Sequence, residues 1–298
     1  MNNLPILYSF RRCPYAMRAR IFISMCDIEV ELREVHLKNI PKDMSDVSPK
    51  STVPVLQFNN GEILEESLDI MNWALNINDK YDLKYLKARG KSGNDQQFGT
   101  AVLVKGKIES NLSLSSEIKW IRDEIKFFKG NLVSCIAKPV GQRPIKVISV
   151  YSPAWPVDKA RLEGIDISNI KLPDYSDIWV TDILWRILKY AQPKDTERWL
   201  VAGDLNSSET FDEKWGTTGN YLTTKRITNL GFYECLRGYQ KKLTPTFRHV
   251  RGYIEDQLDH LFVTKCLAKG LKECKTGDIS KVFDNSLSDH LPIIADFS

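Results

Sequence analysis

The rhythm of apolar and polar positions changes several times along the chain, and each change predicts an element. Residues 5–10 form a short apolar run that ends at Arg11-Arg12, which predicts a buried strand. From Tyr15 to Met25 the apolar residues Met17, Ile21, Phe22 and Met25 recur near helical spacing. Residues 30–35 return to a strand pattern, Thr52-Val53-Pro54-Val55-Leu56 gives another, and Asn59-Asn60-Gly61 supplies hairpin turn residues. Glu65-Glu66-Ser67-Leu68-Asp69-Ile70 opens a further helix, with Ser67 as its cap and Asp69 in its first turn. The order βαβ, β-hairpin, α over residues 1–82 is that of a thioredoxin-type domain.

The pattern then lapses. Asn76 to Asp95 is polar, with alternating Lys and Asp and with Gly90 and Gly93, and residues 83–98 read as a junction. Beyond Gly99, strands and helices alternate, which predicts an α/β fold. Residues 100–104, 132–137 and 147–151 are strand-like runs of Val, Ile and Leu. Residues 178–191 place Trp179, Ile183, Leu184, Ile187 and Leu188 on one helical face, a core stripe. Residues 199–202 run directly into Gly203-Asp204-Leu205-Asn206. Residues 257–263 and a last strand at 293–297 bracket Leu287-Ser288-Asp289-His290-Leu291-Pro292.

Composition narrows the class without naming it. A hydrophobic fraction of 42% and a charged fraction of 27% are ordinary for a globular protein, and no repeat is visible. The formal charge is +4, and because the residues up to Arg89 are balanced, the excess falls beyond them. That surplus is compatible with a phosphate-bearing substrate and equally with a solvated surface. The six cysteines show neither a CxxC pair nor a zinc-like spacing with the four histidines. No signal-peptide pattern and no membrane-length apolar stretch are present, so reduced thiols in a cytoplasmic protein without a membrane partner are expected.

Chemistry enters at two places. Cys13 precedes Pro14 at the start of the first helix, beside Arg11 and Arg12. A helix N-terminus and neighbouring cations favour thiolate, the form a nucleophilic cysteine needs. The bland alternative is a small buried cysteine. In the second half, Asp204, Asn206, Asp259 and Asp289-His290 each stand at the end or edge of an apolar run. Carboxylates, a carboxamide and a histidine on one sheet rim could hold a hard divalent cation or place an imidazole beside a phosphate, where each alone would be a turn residue.

Two resemblances organise these residues. YSFRRCPYAMRAR, TVPVL and EESLDIMNWAL, in that order, resemble the N-terminal thioredoxin-like domain of bacterial glutathione S-transferases. That resemblance implies that Cys13 faces the glutathione sulfur, that Pro54 is cis with the Val53 backbone pairing the tripeptide, and that Glu66 and Ser67 hold its γ-glutamyl end. IKVISVYSP, WLVAGDLNS, QLDHLFVT and LSDHLPIIADF resemble the later motifs of the endonuclease/exonuclease/phosphatase superfamily. This implies a two-sheet α/β sandwich over 99–298 that hydrolyses a phosphodiester or phosphomonoester, nucleic acid among them, with Mg²⁺ or Mn²⁺. It further implies roles for single residues. Asp204 would orient or deprotonate water. Asn206 would bind a phosphate oxygen or metal, which Asp204 and Asp289 would also ligate. His290, oriented by Asp259, would stabilise charge on phosphorus, and Tyr151 would contact the phosphate. Thr244–His249 would line the rim, with Arg248 as a phosphate partner or an exposed edge residue.

Two departures qualify this. The early strands that bring an Asn and a Glu to the metal site in that superfamily have no counterpart, since Glu109 and Glu117 fall after the Gly-x-Ala-x-Leu strand of residues 99–103. Ala154 stands where many nuclease members carry Asn. The helical substrate domain of glutathione transferases is absent too. The expectations are therefore a truncated sandwich with weakened hydrolase activity, a glutathione-binding or redox protein using Cys13, or a fusion in which neither half works.

Overall fold

The computed structural model describes residues 4–11, 13–78, 80–173, 175–285 and 287–298. The chain divides into two compact units, Met1–Asp82 and Leu83–Ser298. Among the described residues no helix is long and apolar enough to cross a membrane.

The first unit runs β1 (Ile6–Ser9), α1 (Pro14–Met25), β2 (Glu31–Glu34), α2 (Lys42–Val47), β3 (Val55–Gln57), β4 (Ile63–Leu64) and α3 (Ser67–Ile77). Its sheet has the order β2-β1-β3-β4, with β1 parallel to β2 and the remaining pairs antiparallel. This is a thioredoxin-like layout. Tyr8, Val35, Met44 and Val55 are buried together in it. One sequence expectation is corrected here: the cap position of α3 falls on Glu66, and Ser67 is the first helical residue. The Ser67 hydroxyl instead accepts a bond from Arg18 Nε at 2.7 Å, because α1 packs against α3.

The second unit contains β5 (Tyr81–Arg89), β6 (Asp95–Asn111), α4 (Lys119–Phe127), β7 (Leu132–Pro139), β8 (Ile145–Tyr151), α5 (Val180–Ala191), β9 (Trp199–Asp204), α6 (Glu209–Trp215), α7 (Gly219–Thr228), β10 (Phe232–Glu234), α8 (Cys235–Gln240), β11 (Asp259–Thr264), α9 (Lys265–Ala268), β12 (Leu271–Thr276) and β13 (Ile293–Phe297). Seven strands form one mixed sheet in the order β10-β11-β9-β8-β7-β6-β5, and β12 pairs with β13 as a separate two-stranded sheet. Residues 83–98 are more than a junction, since they supply most of β5 and the start of β6. The Lys/Asp alternation that looked like a linker is the period-two pattern of an edge strand, where lysines discourage further pairing.

The two faces of the large sheet bury different partners. On one, Ile183, Leu184, Ile187 and Leu188 of α5 pack with Ile148, Val150, Val201 and Phe262, so four residues of the predicted stripe are core, whereas Trp179 is the N-cap of α5. Each such core side chain stabilises the fold by roughly 1.5–3 kcal/mol. On the other face, Leu200, Ala202, Leu261 and Val263 pack with Cys274, Ile293, Ala295 and Phe297 of the β12–β13 ribbon. That arrangement is a sandwich whose second sheet has two strands among the described residues, as a truncated two-sheet fold requires.

Candidate functional site

Strand register brings the predicted residues together. In the parallel β8–β9 pair Tyr151 lies beside Asp204, and in the antiparallel β9–β11 pair Asp204 lies beside Asp259. Three strand termini thus place Tyr151, Asp204 and Asp259 side by side at one rim. Gly203 makes the approach possible: it has φ of +142°, and a Cβ there would run into the Val150 carbonyl. His290 reaches the same rim from the segment before β13, and its Nδ1 donates to Asp259 Oδ2 at 2.8 Å. Phe247 bridges to His290 through the backbone, with the two rings 4.9 Å apart.

Asn206 closes the other side. Its backbone is in the left-handed region at φ +47°, a conformation that asparagine tolerates better than most residues. Its N–H donates to Asp204 Oδ1 at 2.8 Å, and its Nδ2 donates to Asp204 Oδ2 at 3.0 Å and to the Ser152 carbonyl at 2.6 Å. The edge of the Phe98 ring meets Tyr151 at 5.2 Å.

The electrostatics follow from this crowding. Burial, reinforced by the Asp259 charge, pushes the Asp204 carboxyl up to about 6. For His290, burial opposes the charged form, but the hydrogen bond to Asp259 and the fields of Asp259, Asp204 and Asp289 outweigh it and raise the imidazole. Burial and the Asp204 charge raise Tyr151, keeping its phenol protonated as a donor.

Of two further residues, Thr246 falls within the predicted rim segment 244–249, and His260 was not singled out from the sequence. The fully buried Thr246 hydroxyl accepts from the N–H groups of Leu258 and Asp259, both at 3.0 Å, and so fixes Asp259. Buried His260 donates from Nε2 to the Ser207 carbonyl at 3.0 Å, and its Nδ1 lies 3.6 Å from the Glu234 carboxylate. His260 therefore anchors the loop that follows Asn206. Its only sequence signal was a polar residue inside an apolar strand.

Asp289, next to His290 and acting on its imidazole, is exposed, and its carbonyl accepts from the Arg248 N–H. The Arg248 guanidinium lies 5.0 Å from the centre of the Phe283 ring. Glu109 pairs with Lys138 and Glu117 with Arg186, so neither supplies the missing carboxylate. Both Asp204 oxygens already accept from Asn206, and among the described residues no three His, Cys, Asp or Glu stand together as a metal group. Mg²⁺ keeps several of its roughly six oxygen ligands as water and is held through one or two protein carboxylates, so Asp204, Asn206 and Asp289 are the residues that would hold such an ion, without the early Glu to add to them.

Alongside the rim runs a cleft of about 360 Å³, which Asn206, His290 and Ala154 share with a set of aromatic side chains.

In the first unit, Cys13 occupies the N-cap of α1 and its Sγ lies 3.6 Å from the Val53 carbonyl, next to the cis Val53–Pro54 peptide. Ser67 is buried, whereas Glu66 is exposed and lies 3.8 Å from Lys50 Nζ. Arg12, expected to flank the thiol, lies outside the described residues.

Comparison with known proteins supports the first unit in sequence and the chain in fold. Residues 7–80 match the family described as glutathione S-transferase, N-terminal domain. A probable glutathione transferase of Aplysia californica is 40% identical over 55 residues, covering 18% of this chain and 60% of that protein. Glutathione S-transferase omega-1 of Mus musculus is 34% identical over 62 residues, covering 21% of this chain and 26% of that one. The chain thus spans 60% or less of these relatives. In structure, it superposes on the 3′ phosphatase NExo from Neisseria, solved with a product DNA hairpin, with a TM-score of 0.54 and 14% identity over 99% of both chains. At that identity the likeness is one of fold.

Proposed function

We propose that the Leu83–Ser298 unit is a weak phosphoester hydrolase whose working groups are Asp204, His290, Asp259 and Tyr151. The observation that carries this reading is the register that aligns Tyr151, Asp204 and Asp259, with His290 bonded to Asp259 at 2.8 Å. A carboxyl raised to about 6 is mostly ionised at neutrality yet more basic than a free aspartate, and can take a proton from an attacking water. Charged His290, oriented by Asp259, offers Nε2 to the oxygens that gain charge on phosphorus or to the leaving oxygen. Tyr151 donates to a further phosphate oxygen. Asp204, Asn206 and Asp289 would hold the Mg²⁺ or Mn²⁺ implied by the family resemblance, and that ion would supply positive charge to the phosphate oxygens and favour ionisation of a bound water. The absence of the early Asn and Glu is why the activity is proposed as weak.

The test is hydrolysis of bis(4-nitrophenyl) phosphate and 4-nitrophenyl phosphate by the full chain, with His290→Ala and Asp204→Asn. Each variant should lose a factor of about 10² or more. Turnover indistinguishable from buffer, or unchanged in His290→Ala, overturns the reading.

A second reading concerns the first unit. We propose that it binds glutathione at Cys13, Val53, Pro54, Glu66 and Ser67. Support comes from the family match over residues 7–80 and from the placement of Cys13 at a helix N-terminus beside the Val53 carbonyl. Retention on glutathione resin, lost in Cys13→Ser or Glu66→Ala, is the check. If both activities fail, the chain is a non-catalytic fusion.

A further inference from the structure

The phosphoester reading leaves the substrate class open, and the cleft beside the rim narrows it. We infer that this cleft receives a nucleobase attached to the phosphoester whose phosphorus sits at His290 and Asn206. The inference rests on the phosphoester reading for the position of the phosphate and on the cleft alone for the base.

The cleft's walls are aromatic: Tyr175 and Trp179 come from the segment before α5, Phe211 and Trp215 from α6, and Phe247 from the segment before β11. Phe211 and Trp215 stack on each other with ring centres 5.1 Å apart and planes 27° apart, which fixes both rings and leaves an outer face of the pair for a ligand. Trp215 is 67% exposed, so its ring is open to a ligand entering the cleft. Flat π-faces at a rim are what a nucleobase stacks on, whichever base it is.

The polar groups agree. The Asn220 amide lies on the cleft wall, where its Nδ2 reaches Asp212 at 2.9 Å and Tyr175 at 3.3 Å, while its Oδ1 accepts from Ser207 at 2.9 Å. Both Nδ2 hydrogens are thus committed within the protein, which leaves one lone pair of Oδ1 to accept from an amino group on the edge of a base.

Charge excludes one rival class. No Lys or Arg lines the cleft among the described residues, so a second or third phosphate entering it would be uncompensated. A polyphosphorylated polyol is therefore disfavoured. The volume of about 360 Å³ lies at the low end of small-molecule sites, enough for one ring system rather than a long acyl chain.

The experiment is calorimetric titration of the full chain in EDTA-containing buffer, which needs no turnover. Adenosine 5′-monophosphate, ribose 5-phosphate and inositol hexakisphosphate are the ligands. The nucleotide should bind about tenfold or more tightly than ribose 5-phosphate, the increment of one stacked base. Inositol hexakisphosphate should bind no more tightly than ribose 5-phosphate. Trp215→Ala, at an exposed position that leaves the core intact, should remove the preference for the nucleotide and leave ribose 5-phosphate unchanged. Phe211→Leu provides a second variant with the same expectation. Equal binding of nucleotide and sugar phosphate, no binding of either, or a preference retained in both variants overturns the inference. Nucleotide binding without any hydrolysis would instead sink the hydrolase reading while leaving the slot in place.

Discussion

Asp259 and His290 are 31 positions apart in the chain, yet His290 Nδ1 and Asp259 Oδ2 are 2.8 Å apart, and the same aspartate lies beside Asp204 in the β9–β11 ladder. One carboxylate therefore acts on two groups at once. It favours the charged imidazole and disfavours the charged form of its neighbour. Asp259→Asn would remove both effects with little change of shape. The expected result is a fall of about 10–10² in kcat for a phosphodiester with KM nearly unchanged, because the loss is of orientation and charge rather than of binding. Equal loss in KM and none in kcat would assign Asp259 to substrate binding instead.

His260 holds Ser207, and through it the turn carrying Asn206. His260→Phe keeps a ring but removes the donor to the Ser207 carbonyl and strips the buried Glu234 of a partner. Glu234 keeps its bonds from the Arg237 N–H and Gln257, so the main loss is the unsatisfied Ser207 carbonyl, worth roughly 1–3 kcal/mol. Urea unfolding should show a loss in that range, and hydrogen exchange should rise first in the 205–210 segment. Uniform exchange across the unit would contradict a local anchoring role.

Gly203→Ala tests the close approach of β8 and β9. The backbone there is at φ +142°, and the new Cβ would meet the Val150 carbonyl. Strain and overpacking together predict a loss of at least about 2 kcal/mol, read as a lower denaturant midpoint. A neutral substitution would mean that the strand pair opens easily at the catalytic rim.

The buried pair of Asp182 and Arg226 gives a pH dependence. Asp182 Oδ1 lies 2.8 Å from Arg226 Nη2, yet burial outweighs the guanidinium and raises the carboxyl from 3.8 to about 6. A carboxyl that binds its proton more tightly when folded contributes stability below the unfolded value, and that contribution fades as pH rises through 6. The shift is worth about 3 kcal/mol. Wild type should therefore lose stability relative to Asp182→Asn between pH 4 and 7, as read by urea unfolding at each pH. A relative gain over that range would mean that the ion pair dominates.

Metal removal is the last check. Since few protein groups would hold an ion at the rim, millimolar Mg²⁺ should raise the melting temperature only slightly, because stabilisation grows as RT ln(1 + [L]/Kd). A large Mg²⁺-dependent shift abolished by Asp289→Asn would mean that these few groups hold the ion tightly.

Much of this was visible in the chain before folding. The apolar runs that end at Tyr151 and Gly203-Asp204, and the one that Asp259 opens, located strand ends, and polar residues at the ends of apolar strands stand out against the pattern. The α5 stripe also read correctly as core, because Ile and Leu recurring at helical spacing mark a face turned away from water. Other features misled. The Lys/Asp alternation around β5 read as a junction, since an edge strand and a polar linker share a composition. Ser67 read as a cap, since only the packing of α1 on α3 brings Arg18 to its hydroxyl.

The sequence by itself determined the elements, the thioredoxin-like order of the first unit and the residue types able to do chemistry. Tertiary structure decided which of those residues meet. Strand order and register, which depend on pairings between distant segments, set Tyr151, Asp204 and Asp259 abreast and brought His290 to them. The same long-range packing recruited Thr246 and His260, left Asp289 exposed and assembled an aromatic cleft from three separate segments. Local pattern carries no information about neighbours tens of residues away, because those contacts are chosen by burial and hydrogen bonding over the whole unit.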